Sequence, residues 1–216
     1  DRTFLDPGAY IVVCADKDTI RQKYGIDNVA GNWSAESALD SSGEVVELAN
    51  PAGVVEARVR YNDRGKWPSG ADGTGHSLEL KEVYSDMDDP DSWALSGVIG
   101  GSPGKANDTA AGALPVVINE GLLTGNSGER WVELYNTGGA DADLSGFHLT
   151  TDRANLTTAT LPAATAIPAH KWLVLTEAAT GLDFAPDNDG KTFIALVNGA
   201  GDRVIDARIF EPRPTH

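Results

Sequence analysis

The stretch INEGLLTGNSGERWVELYN, residues 118–136, has an apolar start, a turn-forming centre and an alternating end. Gly, Asn and Ser fill the centre, as they do in turns that connect antiparallel strands. We therefore predict a strand, a turn and a second strand over this stretch, and we take it as the start of a folding unit.

The alternating end of this stretch, WVELY, presents two different faces, because successive side chains of a strand point to opposite sides. Val132 and Leu134 share one face, which we assign to the core. Trp131, Glu133 and Tyr135 share the other face. Two interpretations of this second face stay open: cross-strand packing, or a partly exposed aromatic strip that serves as a platform for carbohydrate or peptide.

Short strand patterns recur along the chain, and turn-forming sequences separate them. In the second half these patterns cover residues 116–120, 131–135, 147–150, 172–176, 192–197 and 204–210. In the first half they cover residues 10–15, 45–48, 57–61 and 77–83, and the last of these is a half-buried strand with Leu78, Leu80 and Glu82 on one side. One helix is predicted over residues 18–24, with Asp16 or Asp18 as its cap. Strands at this spacing predict an all-β sandwich or barrel.

Two segments of the first half are repeated in the second half. LDPGAYIVVCAD (5–16) matches AIPAHKWLVLTE (166–177), since each has a proline turn followed by an apolar strand. GEVVELANPAGVVEARV (43–59) matches GKTFIALVNGAGDRVIDARI (190–209), since each has two strands around an Asn-x-Ala-Gly turn. The order of these matches predicts two related modules in tandem.

We predict a domain division at residues 1–105 and 114–216, with a linker at 106–113. The first module has no match to the 118–136 stretch, so residues 1–105 are expected to be its C-terminal part. The second module has no match to HSLEL…SWALS and is expected to lack its last strands. Missing strands leave sheet edges uncovered. Strand exchange between modules or between chains, and a single permuted domain, are the alternatives.

The motifs INE, ERWVELYN, DLSGFHLT and KWLVLTE, together with the hairpin at 190–210, resemble the lamin tail domain family. The motifs HSLEL and WALSGVIGGSPGKAN in the first half resemble the later strands and the closing turn of bacterial versions. The resemblance implies two tandem immunoglobulin-like β-sandwich modules, each incomplete at one end.

The resemblance also implies a function without catalysis. Bacterial versions accompany enzymes in exported proteins, with proposed roles in adhesion or tethering. We therefore expect a binding, adhesion or spacer module of a larger exported bacterial protein, located outside the cell or at its surface. The expected partner is an unknown protein or carbohydrate, and the family has no catalytic residues or cofactor to carry over.

The composition excludes several classes of function. The formal charge is −15, and no basic patch that could neutralise phosphates occurs, so direct binding of nucleic acid is not expected. The apolar stretches fall short of a membrane span. One cysteine, Cys14, excludes an internal disulfide, and its apolar surroundings predict a buried thiol.

Acidic loops raise the question of calcium. SDMDDPD (85–91) offers the oxygen ligands Asp86, Asp88, Asp89 and Asp91, although the EF-hand spacing is not met. DNDG (187–190) has the composition of a hairpin turn that needs no metal. Calcium at the first loop is kept as a hypothesis.

An enzyme is the competing class of function. A calcium-assisted or two-carboxylate hydrolase would need Glu120, Glu133 or the 86–91 loop to converge in a concave pocket. A third hypothesis is self-association through open strand edges.

Overall fold

The computed structural model describes residues 4–32, 38–109 and 114–211, and β-strands dominate throughout these ranges. The first half contains β1 (Val12–Val13), α1 (Lys17–Tyr24), β2 (Val29–Ala30), β3 (Val45–Ala49), β4 (Val55–Arg60), β5 (Leu78–Leu80) and β6 (Trp93–Leu95). The second half contains β7 (Val116–Leu122), β8 (Trp131–Asn136), β9 (Ala142–Asp143), β10 (His148–Thr150), β11 (Ala159–Thr160), β12 (Ala166–Ile167), β13 (Trp172–Thr176), α2 (Glu177–Thr180), β14 (Thr192–Val197) and β15 (Val204–Phe210). Two short 3-10 turns cover Ser69–Ala71 and Pro90–Ser92.

Helix α1 ends at Tyr24, as its sequence predicts, and begins at Lys17, one residue before the predicted start. Asp16 is the cap, because its Oδ1 accepts the backbone N–H groups of Asp18 and Thr19 at 2.9 and 3.2 Å. Gly25 ends the helix in the left-handed region, at φ 65°, and its N–H donates to the carbonyl of Arg21.

Two antiparallel sheets face each other in the second half. One sheet has the order β13-β8-β7, and the other has the order β11-β10-β14-β15. The predicted core face of β8 is confirmed, because Val132 and Leu134 have no exposed surface. The core between the sheets contains Val116, Ile118, Leu123, Val132, Leu134, Ala142, Leu144, Leu149, Ala159, Leu161, Ile167, Leu175, Leu182, Phe184, Ile194 and Leu196. This arrangement confirms the predicted all-β sandwich.

Strand β14 is buried on both faces, whereas a sheet of a two-layer sandwich normally has one face in the core and the other in solvent. Its inner face joins the core, and its outer face belongs to a second apolar cluster. That cluster contains Leu156, Phe193, Ala195, Val197, Val204 and Ala207, with Leu95 and Ile209 packed against it. Because Leu95 lies on β6, a segment of the first half covers the outer face of the four-stranded sheet.

Strand β5 buries its glutamate more deeply than its two leucines. Glu79 is buried, whereas Leu78 and Leu80 are only partly buried. The reason is that the chain folds back over β5: the Oγ of Ser102 donates to Glu79 at 2.5 Å, and the N–H of Asp108 donates to it at 2.9 Å. These hydrogen bonds satisfy a carboxylate that the alternating pattern placed at the surface.

Part of the predicted linker is hydrogen-bonded to the first half. The Nδ2 of Asn107 donates to the carbonyl of Leu80 at 2.9 Å, next to the bond from Asp108 to Glu79. Residues 110–113 lie outside the described residues. The division into two modules therefore stays a prediction.

His76 joins the first half to the sandwich. It is buried, and its Nε2 accepts the backbone N–H of Val204 at 3.3 Å. Its Nδ1 lies 3.0 Å from the Oγ1 of Thr74. Since Nε2 accepts a hydrogen bond, the ring is neutral, with its proton on Nδ1.

We predict that lowering the pH below 6.5 weakens this junction. Burial lowers the pKa of His76 from 6.5, and the nearby Arg203 guanidinium lowers it further. Above 6.5 the ring is neutral in both the folded and the unfolded chain, so its contribution to stability is fully present. Below 6.5 the unfolded chain takes up a proton that the folded chain resists, so stability falls as the pH drops towards the lowered pKa.

Urea unfolding at about pH 7.5 and about pH 5.5 tests this prediction, because these values bracket the ordinary pKa of histidine. The wild type should lose more stability between the two conditions than His76→Gln, whose side chain can still accept a hydrogen bond. Equal losses in the two proteins would show that His76 is not responsible.

Candidate functional site

An exposed strip crosses the outer face of sheet β13-β8-β7. Trp172 lies directly opposite Tyr135, and Val174 lies directly opposite Glu133. Trp172 is 60% exposed and Val174 is 46% exposed. Trp131 extends the same face of β8, as the strand alternation predicts.

This strip holds the exposed large apolar side chains of the second half. Within residues 114–211 these side chains are Leu122, Trp172 and Val174, and all three lie on β7 or β13. Leu122 is paired with Trp131 in the register of β7 and β8. The large exposed apolar side chains of these residues are therefore clustered on one sheet face rather than scattered.

Polar groups lie beside the aromatic rings. The Nδ2 of Asn119 donates to the Oε1 of Glu133 at 2.7 Å, and this bond fixes the position of the carboxylate. A β-bulge between Ile118 and Glu120 brings Asn119 to the surface. Together, Asn119, Glu133, Tyr135 and Trp172 line a shallow open depression.

The two carboxylates of the hydrolase hypothesis are neighbours on this face. Glu120 and Glu133 are paired in the register of β7 and β8. However, Glu120 is exposed and lies outside the depression that Glu133 lines. An open sheet face does not exclude water as the cleft of a hydrolase does.

Comparison with known protein families decides the nature of the second half. The family model described as Lamin Tail Domain matches residues 109–209. Residues 109–209 are a lamin tail domain. The match covers nearly all of the sandwich and confirms that the second half resembles this family, whereas it does not extend to the first half. No curated protein matches the chain.

The lamin tail domain is an immunoglobulin-like family that is not known as enzymatic. The described residues contain no helix that is long and apolar enough to cross a membrane. In this chain the exposed strip occupies the outer face of one sheet of the domain, and the segment containing β6 packs on the outer face of the other sheet.

The acidic loop lies away from the strip, against the hairpin β3-β4. Asp88 accepts the backbone N–H of Arg60 at 2.7 Å, and its other oxygen lies 3.4 Å from the Nη1 of Arg58. Asp91 pairs with Lys66 at 2.9 Å, and this hydrogen bond holds the pKa of Asp91 below its usual value.

The other two carboxylates of this loop accept local backbone N–H groups. Asp86 accepts from Asp88, and Asp89 accepts from Asp91, each at 3.0 Å. Among the described residues, no group of three or more His, Cys, Asp or Glu side chains is placed to hold a metal ion. Calcium binding at this loop stays a hypothesis. Thermal unfolding with and without about 5 mM calcium would test it. This concentration is chosen because extracellular calcium sites bind in the millimolar range.

The second acidic sequence, residues 187–190, forms a turn. The backbone N–H of Lys191 donates to the carboxylates of Asp187 and Asp189 at 3.2 and 3.0 Å. The N–H of Gly190 donates to the carbonyl of Asp187, and Gly190 has a φ of 82°. This geometry is that of a turn held by aspartate side chains.

A buried ion cluster in the lamin tail domain was missed from the sequence. The Nη1 of Arg130 lies 2.9 Å from Glu177 and 2.5 Å from Asp183. Arg130 and Glu177 are each only 9% exposed. Glu177 also accepts the backbone N–H groups of Phe184 and Gly128. The sequence feature that could have indicated this cluster is the glutamate at the end of KWLVLTE. By strand alternation it shares a face with two leucines of the strand, where a buried side chain is expected.

Proposed function

We propose that this chain is a non-catalytic binding module and that the outer face of sheet β13-β8-β7 holds its ligand. One observation carries the proposal: Trp172 is 60% exposed and lies directly opposite Tyr135 on an open sheet face. An indole ring that is exposed to water lacks the favourable free energy that its burial would provide. A ligand that covers the ring recovers this free energy.

The chemistry of the strip favours a carbohydrate. The faces of aromatic rings carry partial negative charge and attract the C–H groups on the flat side of a sugar ring. Glu133 supplies acceptors and Asn119 supplies both a donor and an acceptor, which suits the hydroxyl groups at the edge of a sugar. The depression between these residues has room for a ring against Trp172.

The charge of the face indicates a neutral sugar. Glu120 and Glu133 lie side by side on the strip, and the chain has a formal charge of −15. These negative charges repel an anionic ligand both during its approach and when it is bound. We therefore favour a neutral oligosaccharide over an acidic polysaccharide.

The cellular setting in this proposal is an exported bacterial protein. The lamin tail match and the repeated segments of the chain support a tandem module that attaches its parent protein to a surface or a matrix. A module with this role acts outside the cell or at its surface.

Calorimetric titration with neutral oligosaccharides built from glucose, xylose or N-acetylglucosamine tests the proposal. At least one of them should bind, and Trp172→Ala should weaken its binding by about tenfold or more, as for a central aromatic anchor. Tyr84→Ala is the matched control, because Tyr84 is 99% exposed and lies outside the strip. Absence of binding to every sugar, or equal binding by Trp172→Ala, would contradict the proposal.

A further inference from the structure

A cleft lies between the first half of the chain and the lamin tail domain. Strand β6, Lys66 and Lys81 contribute to one wall, and residues 203–208, which include most of β15, form the other. The cleft encloses about 290 Å³. This volume is close to the lower end of the range of small-molecule sites, which is roughly 300–1,000 Å³. The residues of the aromatic strip do not line it.

The two walls meet at a closely packed floor. Leu95 of β6 packs against the outer apolar cluster of the four-stranded sheet, and His76 accepts the backbone N–H of Val204. A Cβ atom at Gly70 would lie 2.5 Å from Leu95 and 3.2 Å from Val204, so only glycine fits between the walls at this point. The cleft is therefore a built feature of the junction rather than a loose gap between two halves.

The lining of this cleft is basic, although the protein as a whole is acidic. Lys66 and Lys81 line the first wall, Arg203 and Arg208 line the second, and Asp206 is the one acidic residue of the lining. The cleft thus collects four of the 17 basic residues and one of the 32 acidic residues of the chain. These cations come from segments that are far apart in the sequence, so a run of basic residues did not indicate the site.

Cations outnumber carboxylates on each wall. The carboxylate of Asp91 pairs with Lys66 at 2.9 Å, while the Nζ of Lys81 donates to the backbone carbonyl of the same residue at 2.8 Å. One carboxylate therefore serves two ammonium groups on this wall.

The second wall has two guanidinium groups and the carboxylate of Asp206. This carboxylate lies 3.5 Å from the Nη1 of Arg208 and also accepts the backbone N–H of Ile118 at 2.8 Å. Like charges that face each other across a small cleft repel, and an anion between them replaces this repulsion by attraction.

The donors of the cleft suit the oxygen atoms of phosphate and sulfate. Arginine presents planar pairs of N–H groups to such oxygens, and lysine adds a compact charge with rotatable donors. Trp93 lines the same cleft, and its indole N–H donates to the carbonyl of Met87 at 2.9 Å, which fixes the ring. The ring offers an apolar surface to an organic group attached to the anion. A cleft of this size admits one anionic group rather than the backbone of a nucleic acid.

We propose that the cleft between β6 and β15 binds a small doubly charged anion, a phosphate or sulfate group that is either free or part of an ester. The site is separate from the aromatic strip and does not depend on the carbohydrate proposal. Because both halves of the chain contact the bound anion, its binding also stabilises the junction between them.

Calorimetric titration of the full chain with sodium phosphate and with sodium sulfate tests this inference, with sodium chloride keeping the ionic strength constant. At least one of the two anions should bind. Lys81→Gln should weaken its binding by about fivefold or more, because it removes a charged donor from the cleft. Lys171→Gln is the matched control, since Lys171 is exposed, lies outside the cleft and gives the same change in net charge.

Absence of binding by both anions, or equal weakening by Lys81→Gln and Lys171→Gln, would overturn the inference. The second result would mean that the anion responds only to the net charge of the protein. Trp172→Ala should leave anion binding unchanged. Loss of anion binding in this variant would place the anion on the aromatic strip and would also overturn the inference.

Glucose 6-phosphate distinguishes the two sources of the anion. It is compared with inorganic phosphate on the Trp172→Ala protein, so that binding of the sugar to the aromatic strip does not contribute. Binding at least about fivefold tighter than that of inorganic phosphate would support an ester that packs on Trp93, and equal binding would support the free anion. Lys81→Gln should weaken both ligands, and glucose 6-phosphate that binds equally well to this variant would contradict the site.

Discussion

Glu177→Ala should lower the free energy of unfolding of the lamin tail domain by about 3–5 kcal/mol, the usual cost of breaking a buried ion pair. The substitution removes the carboxylate that lies 2.9 Å from the Nη1 of Arg130, and Arg130 is only 9% exposed. It also leaves the N–H of Phe184 without its acceptor. The buried guanidinium then keeps only the solvent-exposed carboxylate of Asp183, and the N–H of Phe184 has lost its acceptor, so both changes oppose folding.

Asp183→Asn is the matched control for this prediction. Asp183 contacts the same Nη1 of Arg130 at 2.5 Å, but its side chain is 78% exposed. Water can therefore replace its interaction, and its substitution should leave the unfolding midpoint in urea close to that of the wild type. If Glu177→Ala also unfolds at the wild-type midpoint, the ion cluster does not stabilise the domain.

Phe184→Ala should lower the free energy of unfolding by about 3–5 kcal/mol, through lost burial and the cavity that remains. Phe184 has no exposed surface and belongs to the core between the two sheets. Its backbone N–H is held by Glu177, so the surrounding chain has little freedom to collapse into the space.

The control for this second prediction is the same change at an exposed position. Phe4 is 80% exposed, and Phe4→Ala should change the free energy of unfolding by less than about 0.5 kcal/mol. Urea unfolding followed by circular dichroism measures both proteins. Similar values for the two substitutions would mean that Phe184 does not lie in a packed core.

The long strands of the lamin tail domain could be predicted because their alternation reflects burial on one face. The pattern WVELY placed Val132 and Leu134 in the core, where the structure has them. The two-residue strands β9, β11 and β12 were missed, because segments of this length depend on their neighbours rather than on their own sequence. The same holds for α2, a single turn after β13.

Burial that depends on distant segments could not be predicted. Glu79 is buried because residues 102–108 fold back over β5. The sequence around Glu79 does not predict this packing. The outer face of β14 is covered by a segment from the first half for a similar reason. An alternating pattern identifies which side chains share a face, but it does not identify what packs on that face.

The candidate site was only partly visible in the sequence. The pattern identified the face that carries Trp131, Glu133 and Tyr135 but left its exposure open. Trp172 could not be added to that face before the register of β13 against β8 was known. Asn119 was not foreseen either, because the β-bulge that exposes it is a feature of strand pairing.

The most direct test of the proposed ligand face is to map the binding surface by nuclear magnetic resonance. An isotope-labelled sample is titrated with the neutral oligosaccharide that binds best, and the backbone amide signals are followed. We expect the shifts to concentrate in Val116–Leu122, Trp131–Asn136 and Trp172–Thr176, with the indole N–H of Trp172 among the largest. Shifts that concentrate elsewhere in the chain, or no shifts with any sugar, would contradict a carbohydrate site on this face.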